Sequence, residues 1–273
     1  MILGLSSPTY MGGFLPERDP LLWLLDRCAE YDLHALEAGL PPDGAEDPVE
    51  VRKKAADLDV EWVAFWSSDF VEPACGAAGL RELAARAFDV ANQGGCKKLV
   101  IHGHGAKHNR FVRKPSLDVQ LAKMTDNLPG VAEEAAGRGL KLGLLPHLDY
   151  RSHEVLKVVT DVGHSALRIA IDCANALPVS EEPVHAVQAL AEHAITVAFK
   201  DVRVYPYRSN DVTIWGTPIG QGSVDYETIL PILKSRLPDS ATTTGCIKVR
   251  LPPNNADHDA WLRQSIEFLK GRI

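Results

Sequence analysis

Short, near-continuous apolar runs alternate along this chain with longer segments whose apolar residues recur at helical spacing. The runs are Ile2–Leu5, Leu33–Leu36, Glu61–Phe65, Lys98–Ile101, Leu140–Leu145, Leu167–Ile171, Ala194–Val204 and Gly245–Val249. Runs of that length without strict alternation predict parallel strands covered on both faces. Between them, Leu21, Leu24, Leu25 and Cys28 fall on one helical face. Asp19-Pro20 and Asp47-Pro48 each offer an N-cap followed by proline at the first helical position, and Ser116, Ser152 and Ser180 offer further caps. Gly94-Gly95 predicts the stop of a helix over about 79–92. Further helices are predicted from Ser116 to Gly137, interrupted at Pro129, over SEEPVHAVQALAEH, from Asp225 to Ser235, and over DHDAWLRQSIEFLKG. The stretch from Val204 to about Gly222 reads as a long loop.

These add up to eight strand–helix pairs, so the expected fold is α/β, a single (β/α)8 barrel filling residues 1–273 as one domain. An open doubly wound sheet fits less well, because no Gly-x-Gly-x-x-Gly loop follows the first strand.

Composition narrows the function. With 273 residues and a formal net charge of −7, the chain lacks the basic stripe of a nucleic-acid surface. Its five cysteines are scattered, without a Cys-x-x-Cys pair, which suits a reducing compartment and offers no zinc or disulfide framework. MILGLSSPTY carries no basic segment followed by an apolar core, and no run reaches the roughly 18 apolar residues of a membrane span. A cytoplasmic protein with a small-molecule partner, no nucleic acid and no membrane is expected; a homo-oligomer stays open.

In such a barrel chemistry sits at the C-terminal strand ends. Those ends carry Ser6 and Ser7, Glu37, Trp66, Ser67 and Asp69, His102, His104 and His108, His147 and Asp149, Asp172 and Asn175, Lys200 and Asp201, Lys248 and Arg250. Any one of these has an ordinary structural explanation. Their convergence on one rim points to a site.

LRIAIDCANAL, AFKDV, PIGQGSVDY, LEAGLP and LVIHGHG together resemble the xylose isomerase-like barrels, a group of sugar isomerases and epimerases, inosose dehydratases and endonuclease IV. That resemblance implies a divalent metal held by Glu from strand five, Asp from strand six, His from strand seven and Glu from strand eight. In this chain the four positions fall at Leu145, Asp172, Ala198 and Lys248. One ligand type out of four remains. A lysine ammonium about 4 Å from a dication is repelled by roughly 8 kcal/mol at an effective dielectric near 20. Lys248 is therefore expected to take part of the vacated space and to pair with Asp172, and no metal or other cofactor is expected. Endonuclease IV-like repair is not expected, since most ligands of its three-metal cluster are missing.

Three readings follow. The first is a metal-independent isomerase or epimerase acting on a sugar, cyclitol or related keto substrate, with a lyase or dehydratase of the same fold as its variant. In it Lys248 and Lys200 steady an oxyanion, Glu37, His147 and Asp172 move protons, and His102, Trp66, Asn175, Arg203 and Arg250 bind substrate. His147 is attractive because an unperturbed imidazole titrates near neutrality. A lysine Schiff base is a further route that the residues do not select. The second reading keeps a divalent metal but moves it to His102, His104 and His108 of HGHGAKH, aided by His147 and Asp172. The third is a non-catalytic barrel that binds a small molecule, with Trp66, Trp215, Tyr10 and Tyr207 stacking on a ring.

Overall fold

The structure, a computed structural model, describes residues 1–10, 15–18, 20–41, 45–103, 105–208, 211–250 and 257–273. Eight parallel strands close into a barrel: β1 (Ile2–Ser6), β2 (Ala35–Gly39), β3 (Glu61–Ser67), β4 (Lys98–His102), β5 (Lys141–Leu144), β6 (Leu167–Asp172), β7 (Ala194–Phe199) and β10 (Thr244–Ile247). Around the ring the order is β1-β10-β7-β6-β5-β4-β3-β2, so β1 pairs with both β2 and β10. Helices α1 (Pro20–Glu30), α2 (Pro48–Asp57), α3 (Gly76–Gln93), α4 (Leu117–Gly137), α5 (Ser152–Val162), α6 (Pro183–Leu190), α7 (Tyr226–Arg236) and α8 (His258–Leu269) alternate with the strands. Among the described residues no helix is long and apolar enough to cross a membrane.

The strand pleat separates two apolar regions. Outward side chains such as Trp62, Ala64, Leu99 and Ile101 join the main core beneath the helices. Inward ones, Val63, Val100, Leu145 and Ala170 with Phe65 against them, form a second cluster inside the barrel. Residues two positions on from these point inward at the C-terminal rim, and that parity decides which rim residues meet.

Several helix ends match the sequence. Asp47 accepts the Val49 amide at 2.8 Å ahead of α2, and Asp225 the Thr228 amide at 3.1 Å ahead of α7. The predicted cap at Asp19 lies outside the described residues, while the amides of Leu21 and Leu22 are met by the Glu46 carboxylate at 2.8 and 3.0 Å. Ser152 is the first residue of α5 rather than its cap: Glu154 accepts the Arg151 amide at 2.7 Å. Ser180 sits at φ +57° closing a short 3-10 turn, and α6 starts later, behind Glu182 and Pro183. Pro129 does not interrupt α4, because Leu128, Val131, Ala132 and Ala135 are buried on either side of it and their packing outweighs the proline's cost of about 3 kcal/mol.

The largest departure is the predicted loop after β7. It is an antiparallel hairpin, β8 (Asp201–Tyr207) with β9 (Asp211–Thr217), paired from Asp201↔Thr217 to Tyr207↔Asp211. Its base is fixed by backbone proximity, since a Cβ at Gly216 would lie 1.3 Å from the Arg250 carbonyl oxygen.

Candidate active site

Barrel closure sets Ser6 beside Glu37 across β1 and β2, and Asp172 beside Ala198 across β6 and β7, with Ala198 in turn beside Cys246 of β10. Lys200 and Lys248 each lie two residues beyond an inward position and turn back over this floor. The floor beneath is built of small residues, and Gly4 is so close to β2 that a Cβ there would lie 2.6 Å from that of Ala35.

Lys248 is buried at the centre. Its Nζ lies 3.4 Å from Glu37 Oε1 and 3.3 Å from Asp172 Oδ2. Glu37 also accepts the Ser6 hydroxyl at 2.7 Å. Asp172 presents its other oxygen to Lys200 Nζ at 3.2 Å and to the Ala174 amide at 3.1 Å. Lys200 donates to Asn175 Oδ1 as well, and the Asn175 amide nitrogen is held on the Pro146 carbonyl at 3.0 Å. Two carboxylates and two ammonium groups thus share one enclosed network. Burial disfavours every one of these charges, and only mutual pairing keeps them. For Asp172 the two lysines overcome burial and hold the carboxyl below its usual range. For Lys248 the two carboxylates overcome burial and push the ammonium well above the usual lysine range. Lys200 goes the other way, with burial and the adjacent Lys248 charge outweighing its single carboxylate.

His147 and His102 stack beside this network with ring centroids 4.3 Å apart. His102 Nδ1 donates to the Gly103 carbonyl at 3.0 Å. Burial, the neighbouring His102 and the two lysines push His147 down to about 3. The expectation of a histidine titrating near neutrality is therefore corrected: His147 is a neutral imidazole at pH 7, suited to hydrogen bonding rather than to taking up a proton.

Other rim residues do different work. Trp66 faces outward, edge-on to Phe70 and Phe88 with centroids 5.8 and 5.6 Å away, so it belongs to the core beneath α3. Arg203 stands exposed on the hairpin and donates to the Gln221 carbonyl. Arg250 is exposed, yet its charge reaches Lys200. Tyr10 packs on Trp23 and His258 and donates to Asp259 at 3.0 Å. The Tyr207 side chain is outside the described residues. Asp201 turns away from the cluster and gathers the amides of Val202, Gly220, Gly222 and Val224 at 2.8, 3.0, 2.8 and 3.2 Å, which folds the PIGQGS loop over its carboxylate.

The four positions at which the family resemblance implies metal ligands do not fit a divalent ion. Leu145 belongs to the apolar interior, Ala198 offers no donor atom, and the Lys248 ammonium lies against Asp172. The relocated site is not assembled by the residues described either. His108 is engaged with Asp69 Oδ1 at 3.1 Å and Glu72 Oε2 at 3.3 Å, joining the loops after β3 and β4, and His104 lies outside the described residues.

Asp149, fully buried, accepts the amides of His147 and Tyr150 at 2.8 and 2.9 Å, and burial pushes its carboxyl up to about 7. A folded-state value above the unfolded one gives stability that is present below about pH 4 and lost as the pH rises through 7. Asp149→Asn keeps the accepting oxygen and removes the titration. Urea unfolding at pH 5 and pH 8 is expected to show the variant gaining roughly 2 kcal/mol on the native protein between the two. Equal midpoints at both values would mean that Asp149 titrates like an exposed carboxylate.

Comparison with known proteins agrees with the barrel fold. The sequence pattern described as the xylose isomerase-like TIM barrel matches residues 25–272. The uncharacterized protein YihM of Escherichia coli (strain K12) is 27% identical over 84 residues, a match covering 31% of this chain and 26% of YihM. Of the solved structures, L-ribulose 3-epimerase superposes with a TM-score of 0.79 at 15% identity, over 99% of this chain and 93% of that one. The IolI protein with a bound zinc atom gives 0.74 at 12% identity, over 99% and 97%. At such identities the likeness is one of fold.

Proposed function

Because this chain belongs to the xylose isomerase-like TIM barrel family, we propose that it is a sugar isomerase or epimerase that moves a proton next to a carbonyl without a divalent metal. The substrate is a small polyhydroxylated ketone or a cyclitol ketone. The observation that carries this reading is Lys248, held between Glu37 and Asp172 where the family resemblance implies a metal ligand. A metal in such an enzyme draws electrons from the carbonyl while a carboxylate takes the neighbouring proton. Two ammonium groups fixed in this buried network supply the same polarity, since their orientation is paid for in folding rather than during reaction. Glu37 and Asp172 flank Lys248 and are the groups available to take and return the proton. Neutral His147, with His102 stacked beside it, offers hydrogen bonds to substrate hydroxyls, and Asn175 orients Lys200.

The test is conversion of a panel of ketohexoses, ketopentoses and cyclitol ketones, with products resolved by chromatography. Turnover of at least one is expected, and Asp172→Asn is expected to slow it about 10²- to 10⁴-fold. Saturable binding of these compounds with no conversion would replace this reading with that of a binding barrel.

A further inference from the structure

The two buried amines are unequal in a way that electrostatic stabilisation alone does not require. Lys248 has a carboxylate on each side, at 3.4 and 3.3 Å. Among the described residues Lys200 has one, Asp172 at 3.2 Å, and beside it the neutral side chain of Asn175. The orientation of Asn175 is fixed, because its nitrogen is committed to the Pro146 carbonyl at 3.0 Å and its oxygen must face the lysine. The Lys200 backbone is anchored too, its carbonyl accepting the Tyr226 hydroxyl at 2.9 Å. The charges of Lys248 and Arg250 both act against a proton on Lys200. The arrangement therefore contains a clamped ammonium, a second amine less firmly bound to its proton, and a carboxylate oxygen placed to receive that proton.

Resting on the keto-substrate reading above, we infer that Lys200 is a covalent catalyst that forms a Schiff base with the carbonyl carbon of the substrate. Asp172 Oδ1 takes one proton from the Lys200 ammonium. The freed Nζ lone pair then attacks the carbonyl carbon, and the carbonyl π electrons move to oxygen, giving a carbinolamine. The proton held by Asp172 and one from nitrogen leave with that oxygen as water, and an iminium ion remains. Ammonium plus ketone becomes iminium plus water, so the balance of two cations against two carboxylates is the same before and after. The iminium withdraws electrons from the adjacent C–H bond more strongly than a hydrogen-bonded carbonyl does, and it provides an electron sink that needs no dication. Lys248 stays charged throughout, as its two carboxylate partners dictate.

The experiment is reductive trapping of the full-length protein with sodium cyanoborohydride in the presence of dihydroxyacetone or D-fructose, followed by peptide mass spectrometry. In parallel, incorporation of solvent deuterium next to the carbonyl is followed by NMR. A stable adduct on Lys200 in the native protein, and its loss in Lys200→Arg, is the expected result. Arginine preserves the positive charge but forms no imine, so a purely electrostatic lysine would tolerate it better. An adduct mapping to Lys248 or to surface lysines overturns the inference without touching the proton-transfer reading. So does deuterium exchange with no adduct at all. An adduct on Lys200 without deuterium exchange keeps the covalent step and removes the isomerase reading instead. Because the adduct is mapped in the native protein, the outcome does not depend on the variant folding.

Discussion

Lys248→Met is expected to destabilise the protein by about 3–5 kcal/mol at pH 8, read from urea unfolding, because it leaves buried carboxylates facing a site that has lost its central cation. Methionine matches the lysine stem in length, so the loss reports charge rather than a cavity. Among the described residues Glu37 then keeps the Ser6 hydroxyl, and Asp172 keeps Lys200. With the ammonium gone, the carboxylates that it faced bind protons more tightly than they do beside it in the native protein. That makes the variant's deficit shrink as the pH is lowered from 8 towards 5, the reverse of ordinary acid denaturation. Adding Glu37→Gln to Lys248→Met is expected to recover a large part of the loss, because the uncompensated charge is then removed. A deficit below about 1 kcal/mol with no pH dependence would mean that water screens the network and that Lys248 behaves as a surface ion pair.

Asp201→Ala is the second large effect. Four backbone amides converge on this one buried carboxylate, and an alanine leaves them without an acceptor. At about 1–3 kcal/mol for each buried donor left unmade, partly relieved by water entering the loop, a total of about 3–5 kcal/mol is expected. Activity is expected to fall further than stability, because Lys200 precedes Asp201 and loses the support of the folded loop. Gly222→Ala attacks the same clasp from the other side, since its Cβ would lie 2.0 Å from Asp201 Oδ1. The two substitutions are expected to be strongly non-additive in a double-mutant cycle. Additive losses would show that the loop and the carboxylate are independent.

The barrel was legible because its signal is distributed: buried parallel strands, capped helices and strand-end polarity recur eight times and support one another. The rim was legible only in part. Strand ends announce which residues reach the rim, yet one step of the pleat decides whether a side chain enters the site or the helix layer, and a short apolar run does not fix that parity. Trp66 and Asp201 thus stand at strand ends and face elsewhere. The expected pairing of Lys248 with Asp172 comes from the family resemblance, which sets both residues at positions of one implied metal site. The Ser6–Glu37–Lys248 limb needs β1 to close against both β2 and β10, contacts far apart in sequence. The hairpin reads as a loop because Pro206 and the polar residues between the two strands in the sequence mask the alternation of Val202, Val204, Val212 and Ile214. His147 shows the limit most plainly, since burial and neighbouring cations, invisible in the sequence, remove the titration that made it attractive.

The central claim is that fixed ammonium groups do at this rim what a dication does elsewhere. Its most direct test is solvent-deuterium incorporation into a substrate ketose, with chelator-stripped protein and protein reloaded with manganese, magnesium, cobalt or zinc measured side by side. Equal rates in all five samples, with loss of exchange in Lys248→Met, is the predicted result. Exchange that appears only on reloading, with metal retained in stoichiometric amount, would contradict it.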